Sequence, residues 1–132
     1  MRFRSERGTA ALELAIVAPV LMVLVLGIVQ FGLWYHAEHV ARTAAVEAAR
    51  LAAAEDGTES GAEARASDVL SAGLGHAAEE PAVDVTIGSD TVRAQVTARL
   101  RGLLPIPGFS SFVLRGDATA YRERFRPAGE GP

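Results

Sequence analysis

Leu14-Ala15-Ile16-Val17-Ala18-Pro19-Val20-Leu21-Met22-Val23-Leu24-Val25-Leu26-Gly27-Ile28-Val29-Gln30-Phe31-Gly32-Leu33-Trp34-Tyr35 is a run of 22 residues without a formal charge, and Gln30 is its one strongly polar member. A helix needs about 20 apolar residues to cross a hydrocarbon core of about 30 Å. Helical rise from Thr9 to Tyr35 supplies about 40 Å. Trp34 and Tyr35 close the run with rings that favour the headgroup region. The sequence therefore predicts a transmembrane helix over residues 9–35. Arg2, Arg4 and Arg7 precede it and acidic residues follow it. The positive-inside rule then puts residues 1–8 in the cytoplasm as a basic leader and the rest outside the membrane. A cleaved secretory signal fits poorly. Its apolar core is shorter and ends in a small-x-small site, which Phe31-Gly32-Leu33-Trp34-Tyr35 does not offer.

Outside this run the composition changes character. The chain has 132 residues, 49% hydrophobic and 22% charged, with no cysteine and a net charge of −3. That is enough for one modest domain beside the span. The lack of cysteine excludes a disulfide framework, a thiolate zinc site, a thiol nucleophile and a lipidated cysteine. All 13 basic residues are arginine, which reads as codon bias. Residues 36–90 carry a net −8 and residues 91–132 a net +4. The basic part lies in strand-like sequence without interleaved aromatics, so nucleic-acid binding is not expected.

Beyond Tyr35 the helical period continues. Val40, Ala44, Ala48 and Leu51 form an apolar stripe, with Glu38–Arg42 and Glu47–Arg50 as surface pairs. One helix is predicted from Thr9 to Ala54, bent at Pro19 and ended by Asp56-Gly57, with Gly57 left-handed. Ser60-Gly61-Ala62-Glu63 reads as the capping box of a second, short helix. Ala62, Ala66, Val69 and Leu70 form its apolar face, and Gly73 and Gly75 stop it. Residues 75–81 read as a loop, with Glu79-Glu80 as a solvated turn. The period then becomes two. Val83, Val85 and Ile87 form one strand, and Val92, Ala94, Val96, Ala98 and Leu100 a second across the turn Gly88-Ser89-Asp90. Leu114, Gly116, Ala118 and Ala120 mark a third within residues 112–122. The fold class is thus α+β: a long N-terminal transmembrane helix continuing outside the membrane, a short second helix, and an antiparallel sheet of about three strands packed on the first helix. The extracytoplasmic domain is expected over residues 36–125, with a disordered tail over 126–132. Between strands, Gly102-Leu103-Leu104-Pro105-Ile106-Pro107-Gly108-Phe109 is apolar where a loop is usually polar. Either it touches a membrane surface or partner, or it folds back over the small sheet, which so small a core favours.

Glu13 departs from a plain anchor. A carboxylate at the head of an apolar helix is costly in lipid unless partnered; otherwise it sits solvated at the headgroup boundary. Arg7-Gly8-Thr9-Ala10-Ala11-Leu12-Glu13-Leu14 resembles a type IV prepilin processing site. In that family a membrane aspartyl peptidase cuts after the glycine, and a glutamate occupies the fifth mature position. Pro19, Gly27-Ile28-Val29-Gln30-Phe31-Gly32 and Ala41-Arg42-Thr43-Ala44-Ala45-Val46-Glu47-Ala48-Ala49-Arg50 follow in order. Together they resemble the TadE-like family, minor pseudopilin-type proteins of the Tad (Flp) tight-adherence pilus. The resemblance covers residues 5–55 and beyond them only the architecture. Leu14 stands where an aromatic is common, and Gln30 where an acid is often found. The resemblance implies cleavage at Gly8–Thr9, with Glu13 as an inter-subunit carboxylate meeting the new α-ammonium of a neighbour. Pro19 itself removes one helix hydrogen bond and clashes with the carbonyl four residues back, a helix kink read either as a flexible point or as a harmless bend. The resemblance also implies an inner-membrane location, with membrane lipid, a Flp-type pilin, other minor pseudopilins, the Tad inner-membrane platform and a prepilin peptidase as partners.

No catalytic constellation is apparent. His36, Glu38 and His39 share a helix region, but with His76 remote they do not make a dense ligand set, so neither metal nor cofactor is expected. Seven scattered serines form no nucleophile elbow, and the glycines form no phosphate loop. The expected function is non-enzymatic: a pseudopilin-like membrane protein assisting pilus assembly. The alternatives are an uncleaved single-span anchor whose outer domain binds a partner, and an adhesin or secreted protein released from the membrane.

Overall fold

The computed structural model describes residues 3–103 and 107–122, with side chains described from Gly8 onward. The expected tail over 126–132, the loop residues Leu104-Pro105-Ile106, and Met1 and Arg2 of the leader lie outside the described residues. The fold is α+β. Helix α1 (Phe3–Ala53) is followed by helix α2 (Glu59–Leu74), a 3₁₀ turn (Gly75–Ala77), and strands β1 (Ala78–Ile87), β2 (Thr91–Arg101) and β3 (Ser111–Tyr121). The chain divides into two compact units, Met1–Leu33 and Trp34–Pro132, and α1 contributes to both.

The first unit is the apolar half of α1. Helix begins at Phe3, six residues before the expected Thr9, so Phe3–Gly8 of the leader are helical. Pro19 lies inside the helix, which continues on both sides of it. None of its most apolar window is buried within the protein. Val20, Met22 and Ile28 are each about two-thirds exposed, whereas the core helix of a globular domain would hide such residues.

The second unit is a sheet of order β1-β2-β3, antiparallel throughout, backed by helices. The alternation of β2 is realised at every position: Val92, Ala94, Val96, Ala98 and Leu100 are buried and the residues between them exposed. Leu114 and Gly116 of β3 and Val85 of β1 complete the inner face. Against it lies an alanine face of α1, comprising Ala37, Ala41, Ala44, Ala45, Ala48, Ala49, Ala52 and Ala53, all buried. The expected stripe is corrected here. Ala44 and Ala48 belong to the core, Val40 is half-buried, and Leu51 is exposed. Alanine wins over leucine because the helix lies too close to the sheet for larger side chains. A Cβ on Gly116 would run into the backbone of Ala41. The largest fully buried side chains are only Leu114, Val92 and Val96, so the core is thin and each contributes about 1.5–3 kcal/mol by burial.

Further corrections concern the ends of elements. Gly57 does not have a positive φ. Its amide bonds to Ala54 O, and a Cβ there would lie 2.5 Å from the carbonyl oxygens of Leu51 and Ala52, so glycine is required by close approach. The cap of α2 is Thr58, whose hydroxyl accepts from the Gly61 amide at 3.2 Å, rather than Ser60, which is already helical. Gly73 does not stop α2. It lies inside the helix, where a Cβ would be 2.6 Å from Val40 Cγ1 of α1, and Gly75, at φ 53°, is the true end. Glu47 pairs with Arg65 of α2 at 3.4 Å instead of with Arg50, while Glu38–Arg42 forms as expected at 2.9 Å. Residues 78–81 are strand and not loop. A bulge between Glu79 and Ala82, with Glu80 at φ 50°, carries β1 past Pro81. Glu79 and Glu80 are not a free turn either, since they pair across to Arg101 and Arg99.

Candidate functional site in the N-terminal helix

Gly8, Thr9 and Glu13 fall on one continuous stretch of α1. Thr9 and Glu13 are four residues apart and therefore share a helix face, about 6 Å apart along the axis. Gly8 is exposed, its φ is not positive, and a Cβ there would meet nothing within 4 Å. A glycine inside a helix costs up to about 1 kcal/mol relative to alanine. Among the described residues, neither backbone conformation nor packing accounts for the choice. Glu13 is exposed and forms no hydrogen bond or ion pair among the described residues. It stands at the head of a helix face made of Leu14, Val17, Leu21 and Leu24, all exposed. A carboxylate beside so much uncovered apolar surface needs either the interfacial water layer or a positive partner.

Gly27 and Gly32, like Gly8, have open space where a Cβ would be, and small residues let membrane helices approach closely. Gln30 is the buried polar side chain of this helix, 4% exposed. Its burial has no signal in hydropathy.

The other sequence candidates are dispersed. Glu38 is engaged with Arg42, and Tyr35 stacks on His39 with ring centroids 6.0 Å apart. His36 and His39 line a shallow cleft with Val40, Thr43, Val69 and Gly73 between α1 and α2. Among the described residues no three His, Cys, Asp or Glu side chains are grouped as a metal would require. In the β2–β3 loop, Leu103 and Phe109 are about half exposed, and Phe109 stands edge-on to Phe112, which packs on the core. The described ends of the loop are thus only partly folded back.

The profile of the TadE-like protein family matches residues 8–50. No curated protein and no solved structure matches the chain. The matched segment starts at Gly8, takes in the exposed apolar helix and most of the alanine face, and stops before α2 and the sheet. The helix is long and apolar enough to cross a membrane, and with the family match it is a membrane anchor. Residues 8–50, about a third of the chain, are thus similar to the TadE-like protein family.

Proposed function

We propose that the chain is a pseudopilin-like protein of the inner membrane that assists assembly of a Tad-type pilus. Glu13 carries this reading: an exposed carboxylate at the head of an exposed apolar helix. Cleavage after Gly8 removes Arg2, Arg4 and Arg7 and creates an α-ammonium on Thr9. In an assembly of parallel helices, Glu13 of one subunit meets the ammonium of its neighbour. Burial of both charges between helices makes the pair register-specific, because breaking a buried pair is far more costly than leaving an exposed one unformed. Pro19 leaves one carbonyl of the preceding turn unbonded, and the bend or loosening this permits lets the helix adjust between lipid and a helical assembly. The start of the family match at Gly8 and the lack of a packing reason for that glycine both support a cut there.

In this reading the N-terminus is cytoplasmic and the α+β unit is outside. The chain works by packing and carries no catalysis of its own. Its partners are membrane lipid, a Flp-type pilin, other minor pseudopilins, the Tad platform and a prepilin peptidase. The test is Glu13→Ala beside Glu13→Gln in the piliated cell, read by membrane fractionation and by pili on the cell surface. Both variants are expected in the membrane, with piliation lost. Normal piliation in Glu13→Ala overturns the assembly role.

A further inference from the structure

Contacts within the second unit fix which ends of its elements lie together. Gly61 and Gly73 of α2 meet Leu51 and Val40 of α1, and Arg65 pairs with Glu47 between them. Helix α2 therefore runs back along α1 and ends beside the turns where α1 enters this unit at Trp34. Strand β1 then leaves in the opposite sense, because the Ile87 amide at its far end donates to Glu59 Oε1 at the start of α2, at 3.4 Å. Strand β2 returns, with Leu100 opposite Ala78, and β3 sets out again with Ser111 opposite Arg101. The β2–β3 loop thus lies at the Trp34 end of the unit, and the Gly88-Ser89-Asp90 turn at the other. Trp34, Leu74, Ala78 and Phe112, all from that first end, pack on the same core. Trp34 and Tyr35 also close the apolar run of α1, so this is the end at the membrane boundary.

We propose that the mouth of this loop is a second membrane contact, in which Leu103 and Phe109 enter the interface of the same bilayer that α1 crosses. The proposal rests on the membrane anchor and is independent of any role in a pilus. A backbone bond closes the mouth, Gly102 N donating to Ser110 O at 2.8 Å, and Phe109 stands edge-on to Phe112 with ring centroids 6.4 Å apart. Even so, Leu103 is 52% and Phe109 53% exposed, and Val113 near them on β3 is exposed as well. A unit whose core is filled chiefly by alanine thus leaves three large apolar side chains outside that core, at its membrane end. Apolar side chains at that depth gain by leaving water for the boundary between headgroups and acyl chains. The charges around the mouth do not oppose this. Glu79 and Glu80 are paired with Arg101 and Arg99, and arginine can lay its stem along apolar surface while its head stays in water. Tyr35, at the same end, is also exposed, and a lipid surface covers both it and the loop mouth at once.

The test uses the full-length chain alone in phosphatidylcholine vesicles, with lipids brominated near the head of the acyl chain as contact quenchers of tryptophan fluorescence. Trp34 is the only tryptophan, so its quenching in the unaltered chain reports the anchor. Phe109→Trp and Ser89→Trp, each combined with Trp34→Phe, then report the loop mouth and the opposite end of the unit. Circular dichroism checks that each variant keeps its fold. Phe109→Trp should be quenched severalfold more than Ser89→Trp, and adding Leu103→Glu should bring it down to the Ser89→Trp level. If Trp34 is quenched but Phe109→Trp no more than Ser89→Trp, the inference is overturned and the anchor stands, whether the ring is covered by the sheet or left in water for a partner protein. Undiminished quenching after Leu103→Glu overturns it too. An unquenched Trp34 overturns the anchor and the inference with it.

Discussion

The backbone of Gly116 on β3 lies directly against the carbonyl of Ala41 on α1, so close that a Cβ on Gly116 would overlap the Ala41 carbonyl. This contact sets the distance between helix and sheet. It explains why eight buried alanines, rather than leucines, form the helix face. Gly116→Ala is expected to destabilise the second unit by about 1–3 kcal/mol, as overpacking does, and Gly116→Val by more. Thermal unfolding of the detergent-solubilised chain measures it. Gly27→Ala, at a position with open space, is the control and should leave the transition in place.

Gly73 and Val40 make the equivalent contact between α2 and α1, at 2.6 Å from the Cβ position to Val40 Cγ1. Gly73→Ala alone should lower stability, despite the gain of about 1 kcal/mol that alanine has over glycine in a helix. In the Val40→Ala background the same change should become neutral or stabilising. A double-mutant cycle by denaturant unfolding reads the coupling, expected at about 0.5–3 kcal/mol for residues in contact. Additive effects would show that the helices relax freely.

Thr58 caps α2 through its hydroxyl, and Ser60 does not. Thr58→Ala should therefore cost about 1 kcal/mol, while Ser60→Ala should leave stability nearly unchanged. The comparison by chemical denaturation separates the two positions, because both are small polar residues at the same helix start.

Much of the fold was legible because period-two and period-3.6 patterns were clean. Val92 through Leu100 alternate without exception and became β2 as expected. What was hidden depended on distances that sequence does not carry. The choice of Ala44 and Ala48 over Leu51 for the core follows from the approach of Gly116 to Ala41, and Gly73 resembles a stop in sequence because its neighbour Val40 lies 33 positions away. The first four residues of β1, Ala78–Pro81, carry no period-two signal because a bulge with Glu80 at positive φ breaks the alternation there. At the N-terminal site, Glu13 was visible as a charge beside an uninterrupted apolar run.

The intact mass of the membrane-extracted protein tests the central claim most directly. A chain that begins at Thr9, lacking residues 1–8 and retaining the apolar helix, is expected when a prepilin peptidase is present. In cells without that peptidase the full-length mass should return. A full-length mass in both cases, or loss of the whole apolar run, would contradict it.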